Sequence, residues 1–356
     1  MKIGKLLLIG ISAQVLVGCS SKPNNISFSE DFLCDLPKHV VKSTLINNNL
    51  ECVYPSNLIA TDSLLLIQEP SLVGEDYVNA ISFEGQKLAT VIHRGQASFE
   101  MPNLVAHAVL HPGDTLTAYS NPELGYFPIK EVMEGNTDAV KKIQVPTALR
   151  SFAVSDVLPL RDNLLACGIT PENRFIVMTP DSQMISTDEF TPITTDRPEV
   201  NASAWSYASL LGINPSLNRW VVATYIGGCV EVFELSENKI KLIGGSYISK
   251  PEYEFYDNQV NWTENTTIGF DALSTTNSKI YALYSGIKGE NLKKDIMPVF
   301  GNRIIVYDWD CNPMEIIETD CQIKTFAVTP DESMIYAVTL NPDTMGWDLR
   351  CFPIRK

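Results

Sequence analysis

Along most of this chain the apolar residues come in short runs rich in Val, Ile, Leu, Phe and Tyr, cut by Asn, Asp, Gly and Pro. Runs of that kind bounded by turn-forming residues predict β-strands, and helical periodicity is almost absent. One phrase recurs: an apolar strand, a polar turn, then a second and more apolar strand. It occupies Asn57 to Ile67, Leu104 to Tyr119, Phe152 to Cys167, Ser209 to Tyr225, Ile268 to Tyr284 and Ile323 to Val338. The second strands begin at Leu64, Leu116, Leu164, Trp220, Ile280 and Ile335, at intervals of 52, 48, 56, 60 and 55 residues.

Between the phrases lie hairpins such as Asn79 to Val91 and Asn302 to Ile317, whose turns Glu84-Gly85-Gln86 and Asp310-Cys311-Asn312-Pro313 suit chain reversal. Six copies of a four-stranded unit predict an all-β fold, a six-bladed β-propeller, in which closure removes exposed sheet edges. After the sixth phrase only Asp348 to Ile354 remains, so the last blade lacks its outer strand. The segment Ile26 to Val53 holds two strand-like runs, Lys38–Ser43 and Leu50–Val53, and is expected to supply that strand from the N-terminal side. The competing architecture is an irregularly decorated β-sandwich.

The first residues break this pattern. Lys2 and Lys5 precede an apolar stretch from Leu6 to Val17, too short to span a bilayer and of the length of a secretory leader. It ends in Leu16-Val17-Gly18-Cys19, which looks like a lipobox: residues 1–18 are read as a signal peptide and Cys19 as the lipidated first residue of the mature chain. Its thiol would accept a diacylglycerol and its freed amine a further acyl chain such as palmitate, and several chains anchor far better than one. Residues 19–26 form a polar tether and 27–356 a single propeller domain. A cleaved leader with an incidental cysteine is the plainer alternative.

Removing residues 1–18, which carry two lysines and no acid, takes the formal charge from −15 to −17. So acidic a body argues against nucleic acid and against electrostatic adhesion to anionic lipid, which leaves the lipid anchor as the membrane contact. Seven further cysteines, Cys34, Cys52, Cys167, Cys229, Cys311, Cys321 and Cys351, are irregularly spaced without a Cys-x-x-Cys. Cys167 and Cys229 read as buried thiols, and Cys311–Cys321 or Cys34–Cys52 could each close a short loop.

The leader, the phrase Pro55 to Ile67 and the loop His93-Arg-Gly-Gln-Ala-Ser-Phe-Glu-Met-Pro102 together resemble the TolB-like six-bladed propeller lipoproteins of the Bacteroides type. In that family the loop usually reads Gly-x-Gly-Pro-Gly-Glu-Phe, of which only Gly95 and a displaced Phe99-Glu100 remain here. The resemblance implies a cell-envelope binding protein.

Candidate sites are few. His107 and His111 form a His-x-x-x-His pair, but Pro112-Gly113-Asp114 follows at once and the segment reads as a strand. On a strand these positions stand about 13 Å apart, too far for one metal ion. His93, Arg94 and Gln96 could line a channel mouth, Arg94 facing an anion and Gln96 a sugar or amide, or could simply be a solvated connection. Asp181, Asp271, Asp308, Asp310 and Asp331 invite a calcium reading, although aspartates at turns need no ion and calcium needs six to eight converging oxygens. Tyr253, Tyr256 and Trp262 lie in an aromatic inter-blade insertion suited to stacking on sugars or to packing on a blade. Ser63, Thr115 and Thr344 stand in Asp-Ser/Thr-apolar triplets that look like O-glycosylation acceptors of Bacteroidota, or like ordinary turns. No Gly-x-Ser-x-Gly, His-Glu-x-x-His or P-loop is present.

The expected function is a non-catalytic, lipid-anchored binding or interaction module without a cofactor, whose partner is an envelope protein or a small ligand. The enzymatic alternative is a hydrolase or lactonase with calcium in the channel, and a third reading is a structural scaffold. Ser20-Ser21-Lys22-Pro23 lacks an acidic surface-export cluster, which favours the periplasmic side of the outer membrane over the cell surface.

Overall fold

The computed structural model describes residues 26–70, 76–104, 107–150, 153–169, 174–187, 208–256, 259–292 and 300–354. Met1 to Asn25, and with them the leader and Cys19, lie outside the described residues. Six small, mainly antiparallel sheets carry the fold; four run from an innermost strand outwards in chain order, and blades five and six do so up to an outer strand taken from the N-terminal segment. Blade one starts with Asn57–Ala60 and ends with Lys87–Arg94; blade two runs from Val109–His111 to Lys141–Gln144; blade three from Ala153–Leu160 to Met184–Thr187. Blade four runs from Ser209–Asn214 to Lys239–Tyr247 and blade five from Phe270–Thr275 to Pro313–Thr319. Blade six takes three strands from the C-terminal end, Thr325–Val328, Met334–Leu340 and Trp347–Pro353.

The ring closes as expected, with a change of detail. The outer strand of blade six is Thr44–Asn47, paired antiparallel with Trp347–Pro353. The run Lys38–Val41 lies instead along Pro313–Thr319 as a parallel fifth strand of blade five, and Leu50–Val53 is no strand at all. The sequence supports this division. Leu50 is buried against blade one, whereas Ser43 turns the chain between two blades, its N–H held by the Asp320 carboxylate and its hydroxyl by Arg350.

Six apolar clusters alternate with the six blades, and each one joins two neighbours. Leu66, Tyr77, Leu116 and Phe127 join blades one and two; Leu124, Leu149, Ala166 and Ile176 join two and three. Leu165, Phe175, Trp220 and Phe233 join three and four; Val221, Val232, Ile305 and Tyr307 join four and five. Tyr281, Leu283, Phe326 and Ile335 join five and six, and Leu58, Leu65, Val338 and Leu349 close six onto one. The alternation of side chains along a strand produces this. In Lys279–Tyr284, Ile280, Ala282 and Tyr284 pack towards blade four, while Tyr281 and Leu283 pack towards blade six. A strand buried on both faces must be apolar at every position, which is why the second strand of each phrase reads as an unbroken hydrophobic run.

Arg174 and Glu231 stand among these apolar groups, almost fully buried, with Nη1 and Oε2 2.5 Å apart. The Tyr247 hydroxyl donates to Oε1 of the same carboxylate at 2.9 Å, and the guanidinium lies over Phe175 and Phe233. The pair thus ties blade three to blade four.

Candidate functional site

The innermost strands surround a central cavity of about 380 Å³. Its walls carry Asn57, Ile59, Val109, Leu211, Leu273 and Thr325, and its lower end is set by the turns that hold Asp62, Asp114 and Asn277. Gly212 belongs to this wall because a side chain would not fit. A Cβ there would lie 2.6 Å from Cγ2 of Thr275 and 3.1 Å from Cγ1 of Val221, so the absent side chain lets the inner strands of blades four and five approach.

The upper end is where the inner strands begin, and it gathers ionisable groups from different blades. His107 lies two residues before the inner strand of blade two, and Asp156 sits on the inner strand of blade three. Tyr225 follows the second strand of blade four, its N–H bonded to the Ala208 carbonyl. Asp271 is on the inner strand of blade five and Lys324 immediately precedes that of blade six. Blade one contributes Gln68, whose Oε1 accepts from the Ala108 N–H at 2.8 Å, and Asn57, whose Nδ2 donates to the Ala108 carbonyl at 3.1 Å. Both acids sit where a strand departs from regular pairing: the ladder slips between Val154 and Asp156 and again between Phe270 and Ala272. Such bulges re-aim side chains.

These groups feel one another. Burial pushes Asp156 up to about 7, against the pull of the His107 backbone N–H. Burial also raises Asp271 to about 6, opposed by the Gly301 N–H, which donates to Oδ2 at 2.8 Å, and by the charge of Lys324. His107 falls to about 4 through burial and the same lysine. The Tyr225 phenol is pushed well above its usual range by burial and by the charges of Asp156 and Asp271. Near neutral pH the site therefore holds a neutral imidazole, a phenol, one carboxyl group on the edge of ionisation and one largely ionised. The Lys324 ammonium is turned to aromatic faces, 4.7 Å from the Tyr54 ring centre and 5.3 Å from that of Phe300. Among the described residues, Oδ1 of Asp156 is sealed from solvent and has no hydrogen-bond partner.

Residues 35–331 match the family model described as TolB-like 6-blade propeller-like. The chain belongs to that family. A Bacteroides vulgatus member of the duf4221 family shares the fold at TM-score 0.51 and 10% identity, over 90% of this chain and 97% of that one. A Bacteroides fragilis protein described as exported, BF0058, aligns at TM-score 0.50 and 11% identity, over 90% of this chain and all of that one. A Xanthomonas campestris gluconolactonase, XC5397, aligns at TM-score 0.47 and 8% identity over 88% and 89% of the two chains. No curated protein matches this TolB-like propeller in sequence.

The residues singled out in the sequence fall in several places on the TolB-like ring. His93 and Arg94 end the outermost strand of blade one, His93 Nδ1 lying 2.9 Å from Asp76, and Gln96 is exposed in the turn beyond. None of the three lines the cavity. Tyr253 and Trp262 flank the hairpin formed by Glu254–Tyr256 and Gln259–Asn261, with Trp262 57% exposed; the Tyr256 side chain lies outside the described set. Ser63 and Thr344 are exposed in turns, whereas Thr115 is half-buried and paired at the start of a strand.

Asp308 caps its own turn by accepting from the N–H groups of Asp310 and Asn312, and Asp331 does the same for Ser333. Asp310 pairs with Arg219 at 2.8 Å, and Asp181 takes the hydroxyl of Thr179. Of the five aspartates weighed for calcium, Asp271 alone belongs to the channel cluster. No group of three or more His, Cys, Asp or Glu among the described residues is placed to hold a metal ion. His107 and His111, set aside in the sequence, both line the cavity, and His111 Nε2 also contacts the Thr117 hydroxyl at 2.8 Å. All seven described cysteines are unpaired, so neither loop-closing bridge forms. Asp156, Tyr225 and Lys324 carried no signal in the sequence beyond their places at the ends of apolar runs.

Proposed function

We propose that this chain is a non-catalytic binding module of the cell envelope whose ligand seat is the central channel of the propeller. The observation that carries this reading is the central cavity of about 380 Å³ enclosed by the inner strands, with His107, His111, Asn57 and Asp114 on its lining. A concave, largely pre-formed site of a few hundred Å³ with a small number of polar groups is what small-molecule recognition requires. A rigid ring of blades holds those groups in place without a moving part.

The leader at residues 1–18 and the lipobox ending in Cys19 support export and a lipid anchor, with residues 19–26 as tether and 27–356 as one domain. We place the protein at the outer membrane, on its periplasmic side, for want of an acidic cluster after Cys19. Labelled palmitate should enter the protein in cells and be lost in Cys19→Ser; labelling that persists in the variant would remove the anchor from this reading.

The channel reading is tested by thermal unfolding of the protein against a panel of small sugars, amines and carboxylates, with calcium and EDTA in parallel. A ligand that binds the native state alone must raise apparent stability. The expected outcome is a rise with a panel compound that Leu211→Trp, a larger side chain on the cavity wall, abolishes without lowering the melting of the free protein. A calcium-dependent rise reversed by EDTA would instead favour the hydrolase.

A further inference from the structure

Resting on the reading of Cys19 as a lipid anchor, we propose that the protein meets zwitterionic lipid headgroups with the upper face of its ring and turns its lower face away from the membrane. The N-terminal segment is fixed to that upper face. The Ser29 N–H donates at 3.2 Å to the carbonyl of Tyr247, the last residue of the outer strand of blade four, and Phe28 meets the Tyr247 ring edge-on. The Tyr284 hydroxyl donates to Glu30 at 3.1 Å, and Leu33 is buried between blades four and five. This end of the outer strand belongs to the upper face, because Ile248 and Ser249 share backbone hydrogen bonds with Gly228, in the same turn as Tyr225. The chain therefore leaves towards its N-terminus from the upper rim of blade four.

Chain length then limits where the bilayer can lie. Seven peptide links join Cys19 to Ile26, about 25 Å at full stretch. The inner strand Ser209–Asn214 alone carries blade four about 20 Å from its upper to its lower end. To lay the lower face on the bilayer, the link would have to run taut down the side of the ring. An upper face laid on the bilayer asks for no such stretch.

The exposed rings make the same choice. The aromatic side chains most exposed among the described residues are Trp262, Tyr54 and Tyr225, at 57%, 44% and 37%. All three stand at the upper face. Trp262 follows the hairpin inserted between blades four and five, Tyr225 follows the second strand of blade four, and Tyr54 packs on Trp347 and Lys324 where the inner strand of blade six begins. Tryptophan and tyrosine gather at headgroup level because an apolar body with a polar tip suits both sides of that boundary. Exposed aliphatic chains are not sorted in this way: Leu217 stands in the lower turn of blade four, and Val40 and Leu45 lie on outermost strands. Beside the insertion that carries Trp262, Glu252, Glu264 and Glu290 outnumber Lys250 and Lys288. So acidic a rim is repelled by anionic lipid, which assigns the contact to zwitterionic headgroups. The lower mouth, between the turns that hold Asp62, Asp114 and Asn277, is then the one open to soluble ligands.

The test returns the mature protein, purified from cells, to vesicles of phosphatidylcholine brominated near the headgroup end of its acyl chains, where bromine quenches tryptophan at short range. The emission of Trp262 is the difference between the parent and Trp262→Phe. Leu217→Trp, and separately Met184→Trp, each in the Trp262→Phe background, place reporters on the lower face at exposed positions that leave the core untouched. The proposal expects bromine to remove more than half of the Trp262 emission and to leave both lower reporters unquenched. Equal quenching at the two faces, quenching of the lower reporters alone, or no quenching of Trp262 in vesicle-bound protein would overturn it. Flotation with the vesicles and the mass of the N-terminal peptide are read on the same sample. A chain without acyl groups removes the anchor and the orientation together; an acylated, vesicle-bound chain with unquenched Trp262 removes the orientation alone.

Discussion

The indole N–H of Trp347 donates to the carbonyl of Val53 at 3.0 Å, between positions 294 residues apart. Trp347 begins the third strand of blade six, and Val53 ends the segment that leads from the closing strand into blade one. The bond thus lies across the seam of the ring, with Tyr54 and Phe300 against the same indole. Trp347→Phe keeps most of the packing and loses the donor, which should cost about 1 kcal/mol. Trp347→Ala loses both and should cost roughly 3–5 kcal/mol. Urea unfolding monitored by circular dichroism measures the two. Equal losses in the two variants would mean that the hydrogen bond, not the packing, carries the seam.

Glu231 should be intolerant of truncation. Glu231→Ala leaves the Arg174 guanidinium uncompensated between blades three and four and should lower stability by about 3–5 kcal/mol. Replacing both partners, as Arg174→Met with Glu231→Leu, should recover much of that loss, because the pair sits among Phe175, Phe233 and Trp220. Chemical denaturation of the single and double variants decides it; a double variant no better than Glu231→Ala alone would show that the pair itself, and not the isolated charge, governs stability.

Stability should respond to pH through opposed groups. Asp156 and Asp271 have folded pKa values of about 7 and about 6 against an ordinary 3.8, so between pH 4 and 7 the folded chain holds protons that the unfolded chain has released. Their contribution is therefore fully present below pH 4 and is lost as pH rises through 6 to 7. His107 and His111, lowered to about 4 from 6.5, act in the opposite sense, and their contribution is lost as pH falls from 6.5 through 4. The two effects offset each other at acid pH. Asp156→Asn should thus be more stable than the parent at pH 8, by on the order of 2 kcal/mol given the half-buried position, and should lose that advantage below pH 5. Melting temperatures across pH 4–9 test this; a constant difference between variant and parent would refute the assignment.

The thiols should divide by location. Cys34 is exposed and should react with a thiol reagent within minutes at pH 8 in the native protein. Cys229, raised by burial and by Glu231 to about 12, and Cys311, raised by burial and the same carboxylate, should react only on unfolding. Mass spectrometry after timed labelling reads each site, and early labelling of Cys229 would contradict the packing of blades four and five.

The ring was legible in the sequence because its physics is local. A strand with both faces buried is apolar throughout, and the turn that follows it needs polar residues, so Ile335 to Val338 after Pro330-Asp331-Glu332 announces its own hairpin. The closing strand was harder. Thr44–Asn47 is half exposed, with Leu45 47% accessible, and it has neither continuous hydrophobicity nor clean alternation. Lys38–Val41, the run that the sequence had singled out, went to blade five instead. The channel cluster was not legible at all, since His107, Asp156, Tyr225, Asp271 and Lys324 span more than two hundred positions and meet only because the chain comes full circle. Conversely, the loop from His93 to Pro102 looked like a channel mouth because it links two blades. Glu100–Met101 instead lies parallel beside the outermost strand of blade one.

The pairing of Thr44–Asn47 with Trp347–Pro353 also sets a schedule. Synthesis runs from the N-terminus at roughly 5–20 residues per second, so the first strand of the seam exists for about 15–60 seconds before its partner is made. In that interval blade one has no neighbour on one side: Leu58, Leu65 and Ile67 face water until Val338 and Leu349 arrive. The molecule is an open arc for most of its early life and a ring only at the last strand. Whatever receives the growing chain must keep those two edges apart from other chains until they find each other.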